Sequence, residues 1–138
     1  MMHMRGTPKT MQSLTGYGDV VRDIMDYFIT RIKSAREVGI QDLLIDPGFG
    51  FAKTIEQNFE LLDRLQELQL FELPILVGLS RKSMIYKTLD IEAKEALNGT
   101  TALHIKALQN GAKLLRVHDV KEAMESIKLM KALVHRTH

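Results

Sequence analysis

The sequence predicts an α/β fold, with parallel strands covered by helices and arranged as part of a TIM-type (β/α)8 barrel. Three short stretches with apolar cores, near 42–46, 75–79 and 113–118, are separated by segments whose apolar residues recur every three or four positions. That is the pattern of buried parallel strands alternating with helices. The strand ends also carry polar residues at similar intervals: Asp46, Lys82 thirty-six residues on, and Arg116 thirty-four beyond that. Barrel enzymes collect their chemistry at the C-terminal ends of such strands. A complete barrel takes about 250 residues, so these 138 residues supply about half of one, read as a single domain over 1–138. A doubly wound sheet has the same ingredients and is the structural alternative.

The opening segment reads as a loop without a strand of its own. From Val20, the residues Val21, Ile24, Phe28, Ile32, Ala35 and Val38 mark one helix face, with Asp19 as N-cap and Gly39 as stop. Residues 42–45 form the first strand, and Pro47 and Gly48 turn the chain at once. Thr54 and Gln57 then make a capping box for a helix that buries Ile55, Phe59, Leu62 and Leu65. Pro74 introduces the second strand, and helical periodicity resumes after Ser83, breaks around Asn98 and Gly99, and stops at Asn110 and Gly111. Residues 113–117 are the third strand. Asp119 and Glu122 form a further capping box, for a helix burying Ala123, Ile127, Met130 and Val134.

Nineteen basic and seventeen acidic residues without long runs leave no electrostatic footprint for nucleic acid or an anionic membrane. With no cysteine there is neither a disulfide framework nor a thiolate site. The first thirty residues lack an apolar signal region, and no stretch approaches the roughly 18 apolar residues of a membrane span. A soluble, cytoplasmic protein is expected.

The stretch LLIDPGFGFAKT, residues 43–54, resembles a phosphate loop, but its glycines are misplaced. A Walker loop ending at Lys53 and Thr54 needs glycines where Pro47 and Ala52 stand, and a dinucleotide loop starting at Gly48 needs one where Lys53 stands. Lys53 and Thr54 are therefore assigned to an exposed loop and a helix cap. Asp46 has two readings: a carboxylate that accepts paired N–H bonds from an aminopyrimidine-like edge, or an Asp-Pro-Gly turn made for backbone reasons. Ser80, Arg81, Lys82 and Ser83 set two cations and two hydroxyls where a helix starts, which suits an anion or a solvated basic turn. Arg116 and His118 alternate along a strand, so both face one side, and the pair suits a phosphate or pyrophosphate. Asp119 reads as a cap. His104, His135 and His138 are set aside as structural, and His3 has either reading.

Four blocks, MHMRGTPKTMQ, IDPGFGFAKT, GLSRKSMI and RVHDVKEA, together resemble the dihydropteroate synthase family in order and interval, over what corresponds to its C-terminal half. The resemblance implies a cytoplasmic, dimeric TIM-barrel enzyme of folate synthesis. Such an enzyme condenses p-aminobenzoate with 6-hydroxymethyl-7,8-dihydropterin diphosphate and releases pyrophosphate. It implies that Asp46, Lys82, Gly78, Phe51, Met2 and Arg116 meet the pterin, that Lys82, Ser83 and Phe51 meet p-aminobenzoate, and that Arg116 and His118 hold pyrophosphate. Lys82, Arg116 and Asp46 are the implied catalytic set. Mg²⁺ is implied as the pyrophosphate's counter-ion, with no ligand for it in this half. Two departures stand out: Ala52 replaces the family's usual glycine, and the family's N-terminal half is absent, so little or no activity is expected of this chain alone. Another pterin-binding barrel of the methyltetrahydrofolate methyltransferase type, and a non-catalytic, self-associating half-barrel, are the alternatives.

Overall fold

The computed structural model describes residues 1–5 and 16–135. Residues 6–12 of the first block, and His138, lie outside the described residues. Among the described residues, five α-helices flank a short parallel sheet: α1 (Val20–Glu37), α2 (Ile55–Asp63), β1 (Ile75–Val77), α3 (Ser83–Leu89), α4 (Leu97–Gln109), β2 (Ala112–Leu115) and α5 (Val120–His135). The 3-10 segments Leu65–Phe71 and Ala93–Glu95 connect them.

The opening segment is not merely a loop. Met2 makes a parallel bridge with Asp46, where Asp46 N–H donates to the Met1 carbonyl and His3 N–H donates to the Asp46 carbonyl, both at 2.8 Å. Ile45 bridges in parallel to Ile75, and β1 pairs in parallel with β2. Four strand segments therefore lie side by side in chain order. That is the order of an arc of a singly wound barrel, and nowhere among the described strands does it reverse as a doubly wound sheet does.

Each strand is shorter than the sequence predicts. Of residues 42–46, only Ile45 and Asp46 are bridged, Ile45 to Ile75 and Asp46 to Met2. The expected strand at 75–79 stops at Val77, and that at 113–118 occupies Ala112–Leu115. A last bond, Arg116 N–H to Val77 O at 2.9 Å, closes the ladder before the chains splay at the sheet mouth.

Two of the three caps read from sequence are present, and the third, the Asp119–Glu122 box, is not, since both Asp119 oxygens accept from Arg81 instead. The Asp19 carboxylate accepts from Arg22 N–H and starts α1, and Thr54 and Gln57 form the reciprocal box that starts α2. Val20, Val21, Ile24 and Phe28 of α1 meet Leu61, Leu65, Leu68, Ile75 and Val77 in the core. Phe59 and Ile55 are half-buried against it.

Two helical expectations are corrected. Asn98 and Gly99 do not break a helix; they lie in the first turn of α4. Gly99 is there for close packing, since a Cβ would sit 2.5 Å from Ile85 Cγ2 and 3.0 Å from Leu89 Cδ1 on α3. The interruption falls instead between α3 and α4, where Asp90 turns with φ of 55°. On α5, Ala123 and Ser126 are buried, Ile127 and Met130 are half-buried, and Val134 is 57% exposed. α5 packs on α4 by a narrow stripe, leaving Met124, Leu129 and Leu133 exposed.

Candidate active site

Asp46 stands at the sheet mouth and is 4% exposed. Its Oδ1 accepts from Gly48 N–H at 2.8 Å, so the Asp-Pro-Gly turn and the orientation of the carboxylate are one structure. Gly48 has φ of +74°, and a Cβ there would lie 2.1 Å from the His3 carbonyl, so only glycine fits. The other oxygen, Oδ2, is buried and has no hydrogen-bond donor aligned on it among the described residues. Arg116 Nη1 lies 3.1 Å from it as an ion-pair partner, on a side chain that is 53% exposed. A buried carboxylate oxygen left without aligned donors is costly, which marks it as a place for one.

The Arg116 guanidinium also covers Gly78, where a Cβ would fall 2.5 Å from Nη2. Gly78 thus clears space at the mouth, and the arginine fills it. Together with Ser80, Lys82, Val117 and His118, these two residues line an open cavity of about 190 Å³.

Lys82 reaches across the mouth from the N-cap of α3 and donates to the Phe49 carbonyl. Its Nζ lies 4.6 Å from the centre of the Phe51 ring, a cation–π contact. Burial, and then the nearby Arg116 charge, push this lysine down to about 8 against the opposing pull of Asp46. His118 is held by Ser80, whose Oγ accepts the His118 backbone N–H at 3.2 Å and lies 2.9 Å from Nδ1. With the backbone N–H as one donor, the serine hydroxyl is free to donate to Nδ1, and a neutral ring then carries its proton on Nε2.

Asp46, Gly78, Lys82, Arg116, His118 and, through Lys82, Phe51 are therefore gathered at one end of the sheet. Met2 joins them by its backbone bridge to Asp46. Ser83 opens α3 beside Lys82, half-buried, but does not line the cavity.

The structure departs from the sequence reading at Lys53 and Asp119, and it places His3, which the sequence left open. Lys53 is no exposed loop residue: it is 5% exposed beneath the Asp46 loop, whereas Thr54 does cap α2. His3 is buried against it. Asp119 gives both oxygens to Arg81, Oδ2 from Nε at 2.8 Å and Oδ1 from Nη2 at 3.0 Å, and so ties the Ser80 loop to the His118 loop. A loop with a proline and two left-handed glycines leaves carbonyls without ladder partners, and that deficit was the sequence signal for a buried donor. His104, by contrast, is buried in α4, where burial lowers its pKa.

Comparisons with known proteins bear on this arrangement. The sequence profile described as "Pterin binding enzyme" matches residues 1–118. The dihydropteroate synthase of Escherichia coli (strain K12) is 46% identical over 134 residues, covering 96% of this chain and 48% of that protein. The Yersinia pestis dihydropteroate synthase, solved as a sulfonamide drug complex, superposes with a TM-score of 0.94 at 42% identity, over 98% of this chain and 50% of that one. The Thermus thermophilus enzyme, solved with 6HMPPP, superposes at 0.92 and 37% identity, over 96% of this chain and 54% of that one. The same enzyme has been solved with 4-aminobenzoate. The chain spans about half the length of the curated relatives it matches.

Proposed function

The chain belongs to the pterin-binding enzyme family, and from that premise we propose that it forms the half of a dihydropteroate synthase that grips the pterin diphosphate. The observation that carries this reading is the buried Oδ2 of Asp46, which among the described residues has no aligned hydrogen bond and only the Arg116 ion pair, set beside a cavity walled by Lys82, Arg116 and His118. A pterin presents an amino group and a ring N–H side by side, and a carboxylate is the acceptor that such an edge needs. Arg116, exposed and held to Asp46 through one nitrogen, is the group that yields its place to the ligand.

In this reading the pterin lies over Gly78 between Met2, Phe51 and Lys82, and p-aminobenzoate approaches along Phe51, Lys82 and Ser83. Arg116 and the His118 N–H meet the pyrophosphate. As the methylene C–O bond breaks, its electron pair leaves with the pyrophosphate, whose growing charge those cationic and N–H groups stabilise. The neutral amine of p-aminobenzoate then gives its lone pair to the methylene carbon, and the C–N bond forms with loss of one proton to solvent. No protein nucleophile takes part.

Mg²⁺ accompanies a pyrophosphate as counter-charge. Among the described residues no three His, Asp or Glu side chains converge on one point; when bound, the ion would neutralise charge on the leaving pyrophosphate. The exposed apolar residues Met124, Leu129 and Leu133 of α5 support a homodimer. A cytoplasmic setting belongs to the same reading, as the place of folate synthesis; among the described helices none is long and apolar enough to cross a membrane.

Calorimetry tests the reading. Titration of the chain with 6-hydroxymethyl-7,8-dihydropterin diphosphate is expected to give tighter binding than either the pterin alcohol or pyrophosphate alone. Binding of pyrophosphate with no gain from the pterin contradicts it. Turnover with p-aminobenzoate is expected only when the N-terminal half of a relative is supplied as a separate chain, and normal turnover without it contradicts that part.

A further inference from the structure

A buried lysine that the reaction does not use pins the loop that carries Asp46. Lys53 Nζ lies 2.8 Å from the Gly48 carbonyl, 3.0 Å from the Phe51 carbonyl and 3.0 Å from His3 Nδ1. The carbonyls only accept, and a neutral imidazole accepts at its unprotonated nitrogen, so three acceptors meet the three N–H groups of one ammonium. His3 is neutral in the ordinary pH range, since burial and the Lys53 and Arg5 charges push it down to about 3.

These contacts join the pieces of backbone that set the carboxylate. Gly48 donates to Asp46 Oδ1, and His3 N–H donates to the Asp46 carbonyl. Phe51 closes the other end of the loop, where its N–H donates to Gly48 O at 3.1 Å. We propose that Lys53 is a positioning residue for Asp46: its ammonium ties the 47–52 loop to the His3 edge and so holds the second carboxylate oxygen, the one ion-paired to Arg116, in the orientation that reads a ligand's N–H edge. This assignment rests on the reading of Asp46 as the pterin carboxylate.

A charge in such a place works against stability unless it has a use. Burial pulls Lys53 down to about 7, with Asp46 opposing and Lys82 and Arg5 adding to the fall. The His3 ring on its other side packs edge-on against Tyr27, whose hydroxyl donates to the Met2 carbonyl, and tilted against Tyr17. When Lys53 loses its proton, two N–H groups remain for three acceptors, and the link to His3 survives only if the imidazole proton moves to Nδ1. The hold on the loop therefore weakens as pH rises through this range.

The test uses the full chain and its Lys53→Met variant, with 6-hydroxymethylpterin and inorganic pyrophosphate as separate probes between pH 6 and 8. At pH 6.5 the variant is expected to bind the pterin about tenfold more weakly and pyrophosphate within about twofold of the parent, with an unchanged far-ultraviolet dichroism spectrum. The parent's pterin affinity is expected to fall, relative to its pyrophosphate affinity, as pH passes about 7, and the variant is expected to lack that fall. Equal pterin binding by the folded variant, or the same fall in both, overturns the assignment and leaves the role of Asp46 standing. If the variant does not fold, a flat pterin-to-pyrophosphate affinity ratio in the parent overturns it. A parent chain that binds no pterin overturns the functional reading, and the assignment with it.

Discussion

Asp46 illustrates how one residue's geometry differs from its sequence alternatives, because one carboxylate both makes the turn and faces the sheet mouth. One oxygen builds the Asx turn with Gly48 and the other, buried, meets only the Arg116 guanidinium among the described residues. Gly78 acts beside it by absence: an alanine Cβ would fall 2.5 Å from Arg116 Nη2. That atom ends a flexible, half-exposed side chain, so Gly78→Ala is expected to leave the melting temperature nearly unchanged while weakening pyrophosphate binding several-fold; titration calorimetry checks it. His3 and Lys53 make stability depend on pH. The folded values of about 3 and about 7 lie below the ordinary 6.5 and 10.5, so between each pair of values the unfolded chain holds more protons. Stability therefore rises with pH across both windows, by at most about 1.4 kcal/mol per unit for each group. Melting temperatures at pH 4, 6.5 and 9 are expected to increase in that order, and the Lys53→Met variant to keep only the smaller part of the rise between 6.5 and 9 that Lys82, lowered to about 8, contributes. Lys53 was misread from sequence because a charged residue after two glycines looks solvent-facing, and only the count of unpaired loop carbonyls argues otherwise.

At the scale of elements, what one segment settles by itself was legible. Asp19 starts α1 and the Thr54–Gln57 box starts α2 because capping uses residues three apart, and the apolar spacing of Val21, Ile24 and Phe28 needs no knowledge of the partner face. Strand ends were not legible, since they depend on where a neighbouring chain stops pairing. The bridge at Met2 is invisible to periodicity because so short a stub has none. Gly99 shows the same limit: Asn98-Gly99 looks like a turn, yet the glycine serves the α3–α4 contact. Gly99→Ala forces a Cβ onto packed Ile85 and Leu89 side chains, so it is expected to destabilise the chain by about 1–3 kcal/mol despite alanine's better helix propensity; urea denaturation checks it. An alanine that stabilises instead contradicts the packing account. The Arg81–Asp119 pair belongs to this scale as well, since it fastens the loop after β1 to the loop after β2 and keeps Ser80 against His118.

For the whole molecule, the sheet order and the gathered strand ends were predictable because a barrel places every strand's C-terminal end on one face. Asp46, Lys82 and Arg116, far apart in sequence, meet there for that reason. The outer face of α5 was less predictable: its apolar residues repeat as a core stripe does, yet Leu129, Leu133 and Val134 are exposed because no described element covers them. The central claim is that the mouth of this sheet reads a pterin through Asp46 Oδ2, and the most direct measurement compares the parent chain with Asp46→Asn in calorimetric titrations of 6-hydroxymethyl-7,8-dihydropterin diphosphate and of pyrophosphate. Replacing one carboxylate oxygen by an amide turns an acceptor into a donor facing the ligand's own donors, so pterin diphosphate affinity is expected to fall by about a hundredfold, or 2.7 kcal/mol, while pyrophosphate affinity stays within about twofold. Equal loss for both ligands, or no loss for either, would contradict it.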